Sequence, residues 1–330
     1  MSRRHRPVVS CSELQPFYDA IVDAGSDVSM RLILSDWLEE HDQPQEAELL
    51  RLHVGLLATC CEPEKHSERV QQQARLVELL AAGVRPCVPR WMVTLVEGVD
   101  MTFAWIPPGT FLMGSPASEA DRHDDETPHR VTLTRGFRLG IHAVTQGQWQ
   151  AVMGDNPSHF KGDDRPVEQV SWDDSQAFCT KLGQLVGKRF RLPTEAEWEY
   201  ACRAGTTTPF FFGETIGTDQ ANYDGNYTYG RGKKGGYRRK TTAVGRFPSN
   251  AWGLFDMHGN VWEWCQDGYG AYPQNDIKDP QSSNNGDARV LRGGSWYDGY
   301  PDWCRAACRG WNAPGDRDYI LGCRVVLCLD

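Results

Sequence analysis

The most constraining feature of this chain is a sharp change in residue usage near residue 100. Of its 33 glycines and 12 tryptophans, four glycines and two tryptophans lie before residue 101. Glycine allows the tight turns and left-handed backbone of long loops, whereas a glycine-poor segment can form continuous helix. The change therefore predicts two unlike parts, a small helical domain at residues 1–90 and a loop-rich domain at residues 91–330.

Apolar side chains in the first part recur at the spacing of amphipathic helices. Leu14, Phe17 and Ile21 predict one helix, with Ser12 as its N-cap and Gly25 just after its end. Three further stripes of the same period predict helices at residues 30–38, 49–57 and 68–80. The first part is therefore predicted to be all-α.

Short apolar runs separated by Gly, Pro, Asn and Asp mark the second part, a pattern typical of short strands joined by long loops. The runs predict strands at residues 103–106, 131–133, 137–139, 290–291 and 324–327. Helical periodicity occurs at residues 145–152, 172–186 and 194–204. The last of these segments begins with a capping box, Thr194 and Glu197. The second part is therefore predicted to be α+β.

Charge and hydropathy narrow the function classes. The formal net charge is -9, the wrong sign for a general binder of nucleic acid or anionic membranes. No stretch is apolar over the length of a membrane helix, and no apolar segment follows the basic residues 1–7 as in a signal peptide. We therefore expect a cytoplasmic protein with neither partner, whose thiols stay reduced. The adjacent Cys60 and Cys61 lie near His66, but neighbouring cysteines do not readily bind one tetrahedral ion, so packing is the preferred interpretation.

A series of motifs in the second part resembles a known family. The motifs occur in this order: FLMGS at 111–115, VTQ at 144–146, PV at 166–167, VSW at 170–172, RLPTEAEWEYA at 191–201, GLFDM at 253–257, GNVWEW at 259–264 and RGGS at 292–295. Over about residues 101–328 the chain resembles the formylglycine-generating enzyme (sulfatase-modifying factor) domain family. The resemblance implies a loop-rich α+β fold related to C-type lectins, with short strands and few helices.

The first part is also similar to a known domain. Residues 30–40 and 47–52 resemble a small helical repeat-companion domain of planctomycete bacteria. This similarity indicates an evolutionary origin for the first part but does not assign an activity to it. We expect the helical part to act as an adaptor at which a partner can dock.

The family resemblance implies a direct test for copper chemistry. Family enzymes oxidise a cysteine of a target sulfatase with molecular oxygen, using two cysteines spaced Cys-x4-Cys that hold copper(I), an ion suited to soft thiolates. Counted back from Gly322 without a gap, the two positions fall on Pro301 and Ala306, which cannot bind copper. Cys304 and Cys308, spaced Cys-x3-Cys, are the alternative for a shifted site. We expect no copper and name no catalytic residue.

Resemblance to divergent relatives implies how other cysteines are used. A cysteine like Cys265 commonly accompanies one like Cys304, and one like Cys179 accompanies one like Cys202. We expect two packed, buried thiol pairs, or disulfides if they are oxidised. Cys323 stands where the family usually has phenylalanine, which also indicates burial.

Calcium is the metal that the resemblance does imply. The family's ligands correspond to the side chains of Asp256 and Glu263 and to the backbone carbonyl groups of Gly259 and Val261. Such hard oxygen ligands suit Ca²⁺. The alternative is a hydrogen-bonded turn with no metal.

A second calcium site of the family corresponds to Asn222, Tyr223, Gly236 and Arg238. Glycine stands there in place of the expected carboxylate, and the arginine brings positive charge. Both departures argue against a cation at this second position.

The segment 296–320 predicts a binding surface. Tyr, Trp and Gly are dense there, as in antibody combining sites, where rigid aromatic side chains stand on permissive backbone. The side chains predicted to form the surface are Tyr297, Asp298, Tyr300, Trp303, Trp311, Asp318 and Tyr319. Trp296 and Trp303 are alternatively core residues. Some proteins of this fold are variable proteins of diversity-generating retroelements, and the Tyr and Asp residues here can arise from Asn codons by changes at adenine.

Three functions remain open. The sequence favours a non-copper member of the family that binds a protein, a peptide or a small ligand in a surface groove, with the variable protein as a special case. The alternatives are a divergent oxidoreductase on the same fold and true formylglycine generation. His123 and His129 flank the acidic residues 124–126 and could form an iron site with two histidines and a carboxylate. We expect an ordinary loop there.

Overall fold

The computed structural model describes residues 11–62, 66–282 and 287–329. Within these residues the chain forms seven helices and twelve short strands. The helices are α1 (Cys11–Asp23), α2 (Ser29–Glu40), α3 (Pro44–Ala58), α4 (His66–Ala81), α5 (Gln146–Met153), α6 (Trp172–Val186) and α7 (Glu195–Arg203). The fold is mixed α+β and loop-rich, as the resemblance implies.

The strands are short and form three sheets in the described part of the chain. They are β1 (Arg90–Val96), β2 (Val99–Ile106), β3 (Gly109–Met113), β4 (His129–Leu133), β5 (Phe137–Gly140), β6 (Phe190–Arg191), β7 (Trp262–Gly268), β8 (Ile277–Lys278), β9 (Arg289–Arg292), β10 (Gly310–Asn312), β11 (Leu321–Cys323) and β12 (Val326–Leu327). The sheet orders are β1-β2-β5-β12-β6, β10-β9-β7-β11 and β3-β4-β8. In the second sheet β11 is parallel to β7, while β7, β9 and β10 are antiparallel neighbours.

Local sequence signals set the helix boundaries well. In the second part, each of the three helices begins after a capping box. The hydroxyls of the cap residues Thr145, Ser171 and Thr194 each accept a hydrogen bond from the backbone amide three residues later. The Ser12 cap is wrong, because α1 extends upstream to Cys11 and Ser12 lies in its first turn.

The predicted strand at 324–327 is divided in the structure. Only Val326 and Leu327 pair as β12, and β11 ends at Cys323. Arg324 lies between the two strands with its guanidinium buried against Glu263. A buried ion pair therefore interrupts what reads as one apolar run.

The helical part and the strands share one hydrophobic core. Leu49 and Leu56 of α3 and Leu76 of α4 pack in the same buried cluster as Ile106 of β2 and Trp198 of α7. The end of α4 and the start of β1 agree with a division near residue 90, which stays a prediction. Burial across that division implies that the two parts stabilise each other.

Polar contacts also join the two parts. Arg69 of α4 donates to the carbonyl oxygens of Leu56 and Gly205, both at 2.7 Å. The Cys60 thiol donates to the carbonyl of Thr110 in β3 at 2.8 Å, which fits the packing interpretation. The side chain of His66 and the basic residues 1–7 lie outside the described residues. In the described part of the chain, no helix is long and apolar enough to cross a membrane.

Candidate functional site

A pocket of about 290 Å³ opens over the four-stranded sheet. Each strand supplies part of its wall: Trp262 from β7, Leu291 from β9, Trp311 from β10 and Leu321 from β11. His123, Trp303 and Cys308 complete the wall, together with Arg309 and Ile320. We call this cavity the tryptophan pocket. It lies within the segment that the sequence predicts to be a binding surface.

The buried Arg292 of the RGGS motif fixes one wall of the pocket. Its guanidinium donates to the carbonyl oxygens of Ala306, Ala307 and Cys308, at 2.7–2.9 Å, and forms an ion pair with Glu199 of α7. Arg292 and Glu199 are both fully buried. One side chain thus holds three successive backbone groups of the segment that carries Cys308.

Two glycines allow the close packing behind the pocket. A Cβ atom at Gly310 would lie 3.0 Å from the ring of Trp262, so a larger residue would displace that indole. Gly294 has φ +73°, and a Cβ there would lie 2.6 Å from the Cys304 sulfur. The position of Gly294 therefore requires glycine, and at Gly310 a larger residue would have to shift the indole.

The rim of the pocket carries exposed aromatic side chains. Tyr300, Trp311 and Trp303 are 64%, 56% and 38% exposed. Trp303 lies 5.7 Å from Tyr300 and 6.4 Å from Trp262 between ring centroids, so it links the rim to the floor. Trp303 is in a short 3-10 helix, Pro301–Cys304. Trp303 and Trp311 are the part of the predicted surface that lines this cavity, and Tyr300 lies beside Trp303.

A second aromatic group forms next to the pocket. Tyr297 is half exposed, and its ring lies 5.9 Å from that of the half-buried Tyr319. Both rings contact Trp296, which is buried, so the core interpretation of Trp296 is confirmed. Asp318 is half-buried and accepts a hydrogen bond from the Ile320 amide in a tight turn.

Asp298 does not belong to the surface, and that prediction is wrong. Its carboxylate is buried and accepts hydrogen bonds from the Ser295 hydroxyl and from the Trp262 side chain. Burial raises the pKa of Asp298 to about 7. These hydrogen bonds direct the carboxylate into the protein, although the loop that carries it is otherwise exposed. Asp298 therefore supports the floor of the pocket from its buried side.

We expect Asp298→Asn to remove a pH dependence of stability. The native pKa of Asp298 lies above the unfolded value of about 3.9, so the native state holds a proton that the unfolded state releases. Wild-type stability should therefore fall by up to about 4 kcal/mol between roughly pH 4 and pH 7 on this account. The free energy of unfolding is measured with urea at pH 5 and pH 8. Between these pH values it should fall by several kcal/mol more in wild type than in the variant. An equal difference at both pH values would contradict the assignment.

The positions that correspond to the copper cysteines are buried and hold no sulfur. Pro301 begins the short 3-10 helix, and Ala306 packs in the core. Cys304 packs with Phe210 and the buried aromatics around it, whereas Cys308 lies in a different cluster and lines the pocket. Burial raises the pKa of both thiols. This arrangement does not favour two thiolates converging on one copper(I) ion.

The implied cysteine pairs are wrong, although all four residues are buried. Cys265 and Cys304 belong to different core clusters, as do Cys179 and Cys202. The described cysteines are free thiols. Cys179 lies near Cys323, which is buried as expected. Long loops set these neighbours, so the order of cysteines along the chain does not reveal them.

The calcium ligands differ in how well they suit a cation. Asp256 accepts a hydrogen bond from the Gly245 amide with one oxygen, while its buried Oδ1 has no partner among the described residues. Burial raises the pKa of Asp256 to about 6. Glu263 instead accepts four hydrogen bonds from Arg324 and the Trp198 indole, which fill its four lone-pair sites. Asp256 fits a cation and Glu263 does not, so calcium there stays a prediction.

The predicted second calcium position is partly engaged by protein contacts, while the buried Oδ1 of Asn222 has no partner among the described residues. The Asn222 amide donates to the Lys240 carbonyl at 2.9 Å, and the Tyr223 hydroxyl donates to the carbonyl of Ile216 at 3.1 Å. Arg238 donates to the carbonyl of Thr218. Gly236 has no side-chain carboxylate to offer, so this position also stays a prediction.

The structure separates the two histidines that flank residues 124–126. His123 lines the tryptophan pocket, whereas His129 packs against the ring of Tyr272 at 4.7 Å. A metal-binding atom of His123 lies within 4.8 Å of those of Glu126 and Cys308. Sequence reasoning missed this grouping, because Cys308 is 182 or more residues further along the chain than the loop, with no local pattern to connect them.

The TEAEWE motif supplies buried carboxylates for distant arginines. Glu195 binds Arg309 through both oxygens at 2.7 and 3.0 Å, and Glu199 binds Arg203 and Arg292. Arg309 lines the pocket, so this network fixes another part of its wall. The motif is visible in the sequence, but its partners are set by the fold.

Comparisons with known proteins match this architecture. A family model described as "Sulfatase-modifying factor enzyme 1-like domain" matches residues 97–329. The chain is 33% identical over 226 residues to the "Formylglycine-generating enzyme" of Mus musculus, covering 63% of this chain and 59% of that protein. The chain therefore spans less than two thirds of the mouse relative.

Two solved structures are similar over the same part of the chain. "Treponema denticola variable protein 1" superposes with a TM-score of 0.63 at 30% identity, and PvdO from Pseudomonas aeruginosa with a TM-score of 0.61 at 28% identity. Each alignment covers 72% of this chain and 98% of the other chain. They share the loop-rich fold described above.

Proposed function

Because the chain belongs to the family of sulfatase-modifying factor enzyme 1-like domains, we propose that it is a binding member of that family that works without copper. Its ligand is a peptide or a loop of a protein that inserts an apolar side chain into the tryptophan pocket. The observation that carries the proposal is the pair of exposed side chains Trp303 and Trp311 in the wall of a cavity of about 290 Å³, with the exposed Tyr300 beside Trp303.

The physical argument rests on rigidity and exposure together. Exposed tryptophan and tyrosine are costly in water and are enriched where one partner desolvates them on binding. Here Trp303 and Trp311 border a cavity whose floor is held by Arg292, Asp298 and a four-stranded sheet. A preformed wall loses little freedom when a ligand is bound, which favours affinity.

A variable binding protein is the special case of this proposal. One structural relative is named a variable protein, and Tyr297, Tyr300 and Tyr319 are of a type that adenine changes in Asn codons can produce. Trp303 and Trp311 are not, so they would form the constant part of the surface. A neighbouring reverse-transcriptase gene with a near-copy template repeat would support this case, and a genome without them would exclude it.

The helical part is proposed as an adaptor, in line with its similarity to repeat-companion domains. Its core is continuous with that of the binding domain through Leu49 and Leu76. A partner docked on α1 or α2 would therefore be joined rigidly to the pocket. The proposed location is the cytoplasm.

The experiment is selection of displayed random peptides on the immobilised full chain. We expect enriched peptides that share an aromatic or large aliphatic residue and do not enrich on the Trp303→Ala/Trp311→Ala double variant. A matched variant, Leu185→Ala, removes an exposed apolar side chain of α6 away from the pocket and should select the same peptides. Equal enrichment on the double variant would refute the pocket as the binding site.

A further inference from the structure

The wall of the tryptophan pocket holds a set of metal-binding side chains. Within the described ranges, His123, Glu126 and Cys308 form one set whose nitrogen, oxygen and sulfur atoms lie within 4.8 Å of one another. His123 and Cys308 both line the cavity. The carboxylate of Asp302 lies 3.3 Å from Nε2 of His123, a separation that two ligands of one ion can have. An imidazole and a thiol thus meet a carboxylate in the wall of a cavity that a ligand can reach.

Carboxylates outnumber the positively charged side chains that neutralise them around this set, which favours binding of a cation. Glu119 and Glu126 both bind Arg305, at 2.7 Å each, so one guanidinium faces two buried carboxylates. Asp302 adds a third carboxylate beside them. Arg309 also lies nearby, but Glu195 and Asp125 balance its charge.

The hydrogen bonds show which carboxylate is free to bind. Glu126 accepts from both Arg305 nitrogens, from the Ser115 hydroxyl and from the His123 amide, so its four lone-pair sites are filled. Among the described side chains, His123 alone forms a hydrogen bond with the carboxylate of Asp302. Asp302 is not one of the three grouped side chains, so its carboxylate reaches an ion bound there by shifting from its hydrogen bond with His123.

We propose that His123, Asp302 and Cys308 bind a divalent transition-metal ion of the zinc type, with the fourth position open to the pocket. One nitrogen, one oxygen and one sulfur suit a tetrahedral zinc site, and three protein ligands with an open position allow a ligand atom to bind the ion. Binding converts the Cys308 thiol to a thiolate and releases its proton to solvent. The site goes beyond the peptide-binding function and does not depend on it.

Titration of metal-free full-length protein with Co²⁺, without any peptide, tests the proposal. We expect one equivalent to bind, with a thiolate-to-cobalt charge-transfer band and the visible bands of tetrahedral Co²⁺. Cys308→Ser should abolish the charge-transfer band, and His123→Gln should weaken binding at least about tenfold. Zn²⁺ should displace the Co²⁺ and raise the melting temperature of wild type but not of His123→Gln.

Two matched variants keep the test decisive. Cys304→Ser removes a buried sulfur outside the pocket wall, and His129→Gln removes the other histidine of the loop; both should bind Co²⁺ as wild type does. If Cys308→Ser fails to fold, the half-exposed His123→Gln still decides. Wild type that binds no Co²⁺, or a band that survives in Cys308→Ser, overturns the site. Peptide selection is read separately, so either result can fail alone.

Discussion

Replacing Arg292 with methionine is expected to lower the free energy of unfolding by about 3–5 kcal/mol, or to prevent folding. The guanidinium is fully buried and pairs with Glu199 while donating to three backbone carbonyls. Methionine fills much of the volume but leaves these acceptors without a donor, and each buried unsatisfied group costs about 1–3 kcal/mol. Arg203 still pairs with Glu199, which keeps the loss below that of an isolated buried charge.

The matched control is Arg317→Met. Arg317 is exposed and forms a bidentate ion pair with Asp174, so the same change there should cost less than about 1 kcal/mol. Urea unfolding monitored by tryptophan fluorescence measures both. If the two variants lose similar stability, Arg292 does not anchor the segment that carries Cys308, and the account of the pocket wall fails.

Replacing Trp303 with alanine should weaken a selected peptide by about 30-fold or more, which corresponds to roughly 2 kcal/mol. The indole joins the exposed rim to the floor residue Trp262, so its loss both removes contact area and opens the cavity to water. Some stability should be lost as well, because the side chain is only 38% exposed and packs against Trp262. The affinity is measured by calorimetry with one synthetic peptide from the selection.

A conservative replacement of Trp303 shows whether the affinity for the peptide depends on an aromatic ring at this position. Trp303→Phe keeps an aromatic ring and should restore most of the affinity, while Leu185→Ala should bind as wild type does. A Trp303→Ala variant that binds the peptide with unchanged affinity would place the ligand elsewhere on the protein. Tyr297 and Tyr319 would then be the next surface to test, since their rings form a separate exposed group.

Helices and family architecture could be predicted from the sequence because their signals are local. The capping boxes at Thr145, Ser171 and Thr194 satisfy backbone donors within three residues of the cap, so the boundary needs no tertiary information. Motifs such as RGGS also indicated the right fold. Tyr300 and Trp311 are exposed, as the predicted binding surface requires. A short loop segment rich in aromatic residues rarely buries all of these side chains.

What could not be predicted depends on pairings over long distances. Asp298 lies among exposed aromatics in the sequence, but hydrogen bonds from Ser295 and Trp262 turn it inward. The sequence predicts Glu263 as a metal ligand, but Arg324, 61 residues away, donates hydrogen bonds to its carboxylate oxygens. His123 and Cys308 lie far apart in the chain and come together only in the wall of the tryptophan pocket. Loop-rich folds place such partners by tertiary contacts that no spacing rule records.

The central claim is that this family member binds at its groove without copper oxidation. The most direct test supplies purified full-length protein with copper(I), oxygen and a peptide containing Cys-x-Pro-x-Arg, and follows the peptide by mass spectrometry. Since the family resemblance, counted back from Gly322 without a gap, puts Pro301 and Ala306 at the positions of the copper cysteines, the account predicts that no aldehyde forms from the peptide cysteine. Formation of an aldehyde in place of that cysteine, dependent on the protein and on oxygen, would contradict it.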